Sequence, residues 1–290
     1  MSIPYEWRDR ATLLHADYRE TLAACDGAAD LVLTSPPYCD ARTYGAAVSW
    51  GDEDYAALGD AVFAALRPGG HALINVDAPV REWRKGYGTE RGFHPWRLML
   101  DWAERVGFRV PDRLAFGRLG LPGEYAGRFR NDWEPLLWFQ RPGSSNHHQP
   151  PRDRARTTKQ AGRSTSRRRD GSQRQRQKNP HNGYVRRGTA WNYGNVGSGF
   201  VVTDIANAGH PARWPYRLAR DIIRCFCPPD GIACDPFLGA GTSLVAALEH
   251  GRRFIGGDLL TNDDGVPWVD VAAGIAEARS KQVDMFGVTP

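Results

Sequence analysis

No run of this chain is apolar for long enough to cross a membrane; charges interrupt every candidate well short of the roughly 20 residues that a spanning helix needs. Met1 to Trp7 has neither the basic start nor the apolar centre of a secretory signal, so no export is expected. Cysteine is scarce and odd in number, at positions 25, 39, 225, 227 and 234, with no C-x-x-C pairs set against histidines. That argues against a disulfide framework and a structural zinc site, and makes a reduced, cytoplasmic setting the expectation. Cys225 and Cys227 read as small hydrophobes near a helix end. No internal repeat is visible.

What the chain does have is enough length for a full core. Its 290 residues, 41% hydrophobic and with ten tryptophans, suit one catalytic domain carrying an inserted element. The net charge of +5 conceals an asymmetry. Between Arg141 and Ala190 fourteen Arg or Lys face two Asp, so the rest of the chain is net acidic by seven charges. Such a segment is either the electrostatic footprint of a polyanion binder or a solubilising insert. From Gly143 to Asn182 the only apolar side chains are Ala155 and Ala161. Too little surface is available there to offset ordering entropy, and a mobile loop without a core is expected. The expected division is residues 1–142 for the first part of the catalytic domain, 143–209 for the basic insert and 210–290 for the second part.

Hydrophobic periodicity places the elements. Thr12 to Asp17 reads as a strand ending in an acid, Tyr18 to Cys25 as a short helix and Ala29 to Leu33 as a buried strand. Asp54 to Leu66 has a helical period stopped by Gly69-Gly70, and His71 to Val76 follows as a strand. Pro95 to Val106 predicts a helix; Arg109 to Phe116 and Pro135 to Phe139 predict two strands. Order is expected to return over Tyr184 to Val202. Pro215 opens a helix, Gly231 to Cys234 is a strand, Thr242 to His250 a helix, Arg253 to Asp258 a strand and Val269 to Lys281 the last helix. Alternating strands and helices imply an α/β, doubly wound, mostly parallel sheet.

Two loops at strand ends carry the chemistry, and they suggest one crevice at the sheet's carboxyl edge. In Asp235-Pro236-Phe237-Leu238-Gly239-Ala240-Gly241-Thr242 a dinucleotide fingerprint would need a third glycine where Leu244 stands, and a P-loop would need a lysine. What remains is a glycine loop able to bring backbone against an uncharged part of a cofactor. Asp258, one strand later, is placed to accept from ribose hydroxyls. That combination suits S-adenosylmethionine. In Thr34-Ser35-Pro36-Pro37-Tyr38 the prolines remove two donors, so the turn offers carbonyls. An exocyclic base amine is a poor nucleophile because its lone pair is conjugated. Accepting its hydrogens at the Ser35 hydroxyl and the Pro36 carbonyl would pyramidalise the nitrogen and aim the lone pair at a methyl donor, with Tyr38 stacked on a flipped base. Cys39 reads as structural, because methylating an amine needs no covalent intermediate. His15 and His71 read as packing residues. No metal is required.

Together the S-P-P-Y and D-P-F-x-G-x-G-T motifs resemble the β class of DNA amino-methyltransferases, in which the base-binding motif precedes the cofactor motif and a target-recognition region lies between. The resemblance runs from about Leu13 to Ala278. It implies a circularly permuted Rossmann-like methyltransferase fold acting on double-stranded DNA. It implies catalytic roles for Ser35, Pro36, Pro37 and Tyr38. Asp17, Thr34, His210, Pro211, Asp235, Pro236, Phe237, Gly239, Gly241, Thr242 and Asp258 would hold S-adenosylmethionine, with Asp17 at its adenine and His210 and Pro211 in the run before the pocket helix. Asn131-x-x-Glu134 resembles the start of a late strand. S-P-P-Y resembles the N4-cytosine subset, and N6-adenine is the alternative. An RNA or protein amine methyltransferase and a catalytically inactive DNA-binding protein are the rival classes. Arg152, Arg154, Arg167, Arg168, Arg169, Arg186 and Arg187 are the expected phosphate contacts, with base readout from Tyr184 to Phe200 and from Arg81 to Phe93. A cognate restriction endonuclease, phage self-protection and solitary methylation all stay open as settings. Gln282 to Phe286 resembles the short peptide that docks on the replication sliding clamp, and reads first as packing of the last helix against the sheet.

Overall fold

The structure, a computed structural model, describes residues 9–38, 50–78, 80–82, 89–117, 129, 131–144, 147–155, 165–167, 170–175, 184–193, 208–210 and 214–286. The chain forms two compact units, one of Met1–Gln149 with Thr189–Pro290 and the other of Pro150–Gly188.

The larger unit is built on one eight-stranded sheet: β1 (Ala11–Leu14), β2 (Ala29–Thr34), β3 (Leu66–Asn75), β4 (Arg113–Gly117), β5 (Trp133–Gln140), β6 (Ala190–Asn192), β7 (Ile232–Asp235) and β8 (Arg253–Gly257). Its spatial order is β1-β8-β7-β2-β3-β5-β4-β6. All pairs are parallel except β3 with β5 and β5 with β4. The helices are α1 (Tyr18–Ala23), α2 (Asp52–Ala65), α3 (His94–Asp101), α4 (Tyr216–Phe226), α5 (Thr242–Glu249) and α6 (Trp268–Phe286).

β2 is buried at every position, as a central parallel strand covered on both faces must be. Its side chains alternate: Leu31 and Leu33 join Leu73, Leu136 and Trp138 against α4, α5 and α6. Val32 joins Ala72, Ile74, Leu137 and Phe139 against α1, α2 and Trp102. In α2 the buried Tyr55, Leu58, Val62 and Ala65 form one stripe, and Asp52, Glu53 and Asp54 place negative charge at its N-terminus.

Several boundaries differ from the sequence reading, each for a local reason. β1 stops at Leu14, and Asp17 is the N-cap of α1, its carboxylate accepting the Arg19 N–H at 2.9 Å. α2 gives way to β3 at Leu66, ahead of the two glycines. The helix expected over Pro95 to Val106 passes into a π-helical stretch at Trp102–Val106. There the indole of fully buried Trp102 donates to the Tyr55 carbonyl at 2.9 Å. Ala190–Asn192, expected within the insert, instead extends the main sheet, pairing in parallel with Ala115–Gly117. α6 runs on through Gln282–Phe286, where neither Gly nor Pro occurs, and Gly274 lies within the helix without ending it. The peptide expected to follow the last helix is the end of that helix.

His71 lies 2% exposed in β3, its Nδ1 accepting from the Trp138 indole at 3.2 Å. Burial, reinforced by His148 and Arg67, lowers its pKa to about 4. The unfolded chain takes up the proton near pH 6.5, so this group's contribution to stability is full above that value and is lost as pH falls toward 4. Relative to a His71→Asn variant, which keeps an acceptor near the indole, the protein should lose on the order of 3 kcal/mol across that window. Denaturant melts at pH 7 and pH 4.5 measure it; equal losses in both proteins would contradict the assignment.

Candidate active site

β2 and β7 are neighbours, with Leu31 opposite Ala233 and Val32 opposite Cys234. The two loops, separated by some 200 residues in sequence, therefore leave the same sheet edge side by side. The Thr34 hydroxyl donates to Asp235 Oδ1 at 2.7 Å and joins them directly. Thr34 is thus placed as a brace between the loops.

The first loop is fixed from below. The Tyr55 hydroxyl donates to the Pro37 carbonyl. Of the two proline carbonyls, that engages the one of Pro37. Ser35 and Pro37 line the cleft at this edge. Tyr38 does not: its ring is 7% exposed, and its hydroxyl donates toward Asn75 Oδ1 at 3.3 Å and Glu134 Oε2 at 3.2 Å. The ring expected to stack on a base is packed inward instead.

The second loop is organised by two buried acids. Asp235 accepts from the Thr34 and Ser243 hydroxyls and from the Phe237 N–H, at 2.7, 2.5 and 3.1 Å. Burial pushes its carboxyl up to about 6. Because this folded value exceeds the unfolded one, the stability it contributes is complete below about pH 4 and is lost as pH rises through 6, opposite in sign to His71. Asp258 accepts the Gly239 N–H at 2.8 Å and the Leu260 N–H at 2.9 Å, and burial raises its pKa. Each oxygen retains a lone pair for a second donor.

Backbone conformation and packing give the two glycines a reason of their own. Gly239 has φ +51°, and a Cβ there would lie 2.9 Å from His210 Nε2. Gly241 has φ +82°, and a Cβ would lie 2.6 Å from that of Ala272 in α6. Packing inside the protein already demands glycine at both positions.

The cleft opens at this edge between the two loops. Asp17, Ser35, Pro37, His210, Asp235, Pro236, Phe237, Gly239, Thr242 and Asp258 line it, all anticipated from sequence. Thr34, Pro36, Tyr38 and Gly241 do not, and Pro211 lies outside the described residues. The wall also contains Tyr18, Trp50, Ser243, Leu259 and Leu260, which sequence reasoning did not single out, and Trp214 from the run before the pocket helix. Tyr18, Trp50 and Phe237 form an aromatic group, with ring centroids 5.3 to 5.6 Å apart. The buried Trp214 Nε1 has no hydrogen-bond partner among the described residues. An aromatic wall, an orphaned donor and acids with spare lone pairs fit a ligand with a flat base, hydroxyls and a carboxylate, as S-adenosylmethionine is. Among the described residues, no group of His, Cys, Asp and Glu could hold a metal ion, and no helix is long and apolar enough to cross a membrane.

In the smaller unit, Arg154–Ala155 pairs with Tyr184–Val185 and Thr165–Arg167 with Gln173–Gln175, both antiparallel. The stretch expected to be a mobile loop without a core contains, among its described residues, short ladders held by backbone bonds. Arg187, expected on phosphate, forms an ion pair with Asp153, whereas Arg186 is exposed. The backbones of Arg152, Arg154 and Arg167 are described; Arg168, Arg169 and Cys39 lie outside the described residues.

A mostly parallel sheet with a cofactor cleft at its carboxyl edge, beside an S-P-P-Y turn, defines an amino-methyltransferase type of site. Residues 29–262 match the family model described as DNA methylase, covering N6- and N4-type enzymes. The chain belongs to this family of N4/N6-type DNA methyltransferases, whose methyl donor is S-adenosylmethionine. Among solved structures it is similar to the PvuII DNA methyltransferase (cytosine-N4-specific), with TM-score 0.62 and 17% identity over 96% of this chain and 92% of that one. It is also similar to M1.HpyAVI in complex with S-adenosylmethionine, with TM-score 0.58 and 18% identity over 91% of this chain and 98% of that one. The orphan methyltransferase M.BamHII of Bacillus amyloliquefaciens is 26% identical over 233 residues, 79% of this chain and 83% of that protein. The type II methyltransferase M.ScaI of Streptomyces caespitosus is 30% identical over 93 residues, a match spanning 32% of this chain and only 29% of that protein's length.

Proposed function

We propose that this chain transfers a methyl group from S-adenosylmethionine to the N4 amine of cytosine in duplex DNA. The carrying observation is Ser35 at the wall of the cleft, on a turn whose donors are removed by proline and whose Pro37 carbonyl is already engaged. Ser35 Oγ and the Pro36 carbonyl accept the two amine hydrogens and turn the nitrogen lone pair outward. The PvuII enzyme, named cytosine-N4-specific, supports this choice of base. The base loop preceding the cofactor loop, on adjacent strands, supports the permuted β class.

When bound, S-adenosylmethionine supplies an electrophilic methyl group. Asp258 and Asp17 would accept from its hydroxyls and base, Trp214 Nε1 would donate to it, and Tyr18, Trp50 and Phe237 would exclude water. A methyl-tritiated cofactor, offered duplex DNA and RNA in separate reactions, tests the class. Label in DNA alone is expected. Label in RNA alone would favour an RNA enzyme, and label in neither an inactive fold.

The basic unit supports a phosphate-bearing partner. Deleting Arg152 to Lys178 should weaken binding to all DNA sequences alike and flatten the dependence of log K on log salt by about 0.9 for each phosphate that is no longer neutralised. Filter binding from 50 to 300 mM salt reads this, and an unchanged slope would reduce the segment to a spacer.

A further inference from the structure

The inward side of the Ser35–Tyr38 turn carries polar groups that the reaction just described leaves without a role. Tyr38, Asn75 and Glu134 are 7, 2 and 4% exposed and come from the loop after β2, the end of β3 and the start of β5. Buried polar groups of this kind are held in one arrangement by their hydrogen bonds. Here the polarity of each bond follows from its partners.

Asn75 Nδ2 lies 3.0 Å from the Pro135 carbonyl, which can only accept. That end of the amide is therefore the NH₂, and Oδ1 is the end facing Tyr38. The Tyr38 hydroxyl has one hydrogen and, among the described residues, two acceptors before it, Asn75 Oδ1 at 3.3 Å and Glu134 Oε2 at 3.2 Å. Asn75 Nδ2 also donates to the same Glu134 oxygen at 3.3 Å, which fixes that carboxylate in place. With its hydrogen drawn to this side, Tyr38 Oη presents a lone pair to Ser35 Oγ, 3.5 Å away. The Ser35 hydrogen points inward to it, and the Ser35 lone pairs are left for a donor arriving from the cleft.

We propose that Glu134 is a positioning residue for methyl transfer: acting through the Tyr38 hydroxyl, it holds Ser35 Oγ as an acceptor for the target amine. Without Glu134 only the Asn75 oxygen still draws the Tyr38 hydrogen inward, and that hydrogen turns more readily toward Ser35 to occupy the lone pair that the amine needs. The inference rests on the role given to Ser35 above, and it makes Tyr38 important for its hydroxyl as well as its ring.

Single-turnover methyl transfer at saturating cofactor and DNA tests it, with cofactor affinity by calorimetry and melting temperature measured on each protein. Tyr38→Phe keeps the ring and removes the hydroxyl; a loss of tenfold or more is expected, with cofactor affinity unchanged. Glu134→Met, similar in length and without an acceptor, should lose as much. The double variant should be no slower than the slower single one, because both changes break the same chain. Glu134→Gln keeps an acceptor oxygen and should stay within threefold of the parent. A Tyr38→Phe enzyme at the parental rate, multiplicative losses in the double variant, or a Gln variant as slow as the Met variant would each overturn the proposal. Should Glu134→Met fail to fold, Tyr38→Phe and Glu134→Gln still decide it. A parental protein that methylates no DNA amine would instead sink the underlying reading, before any variant is compared.

Discussion

Replacing Ser35 by alanine is expected to slow methyl transfer by about 100-fold to 1000-fold, the usual cost of removing one preorganised polar contact to reacting charge. An exocyclic amine becomes nucleophilic only when its hydrogens are accepted and its lone pair leaves the ring's conjugation. Ser35 lines the cleft while Pro36 and Pro37 offer no N–H. Alanine leaves one carbonyl to do work meant for two acceptors. Affinity for S-adenosylmethionine should change less than threefold, since the Ser35 side chain bonds to Tyr38 and to no part of the glycine loop. The signature is thus a fall in single-turnover rate at constant cofactor Kd. Full activity in Ser35→Ala would remove Ser35 from the chemistry.

Asp235→Ala should have a larger effect, of another kind. This carboxylate is 6% exposed and ends two hydroxyl bonds and one backbone bond, from Thr34, Ser243 and Phe237. Removing it leaves two buried hydroxyls and a partly buried N–H unsatisfied at once, a cost on the order of 3 kcal/mol. The Thr34 bond also ties the base loop to the cofactor loop, so both sides of the cleft loosen together. Cofactor binding should fall at least 100-fold, and the melting temperature with it. Gly241→Val should likewise lose stability before anything else, given φ +82° and Ala272 2.6 Å from where its Cβ would begin. Calorimetric titration beside thermal melting separates these two cases from Ser35→Ala, which should lower neither.

The two loops were legible because each is a local object: a buried strand, then residues whose backbone chemistry is peculiar. The Pro-Pro pair and the two glycines announce themselves without reference to the rest of the chain. The bond between Thr34 and Asp235 does not, since it joins positions 201 residues apart and exists only because β2 and β7 pair. Trp50 and Trp214 reach the cleft through the same tertiary arrangement. Periodicity located the main strands and helices to within a few residues. It could not show that Ala190–Asn192 is a sheet edge, because three residues carry no period and the pairing with Ala115–Gly117 is long-range. Tyr38 was given a ring-stacking role from its place in the motif, and only the placement of Asn75 and Glu134 reveals why its hydroxyl is drawn inward. Sequence order showed which motif comes first; strand order showed why that sequence order leaves both at one edge.

The central claim, that this cleft serves an N4-cytosine amine, is tested most directly by the identity of the product. Duplex DNA methylated by the protein with methyl-tritiated cofactor, digested to nucleosides and separated by chromatography, should carry its label in N4-methyldeoxycytidine. Label in N6-methyldeoxyadenosine would contradict the assigned base, and label in 5-methyldeoxycytidine would contradict amine chemistry at Ser35 altogether.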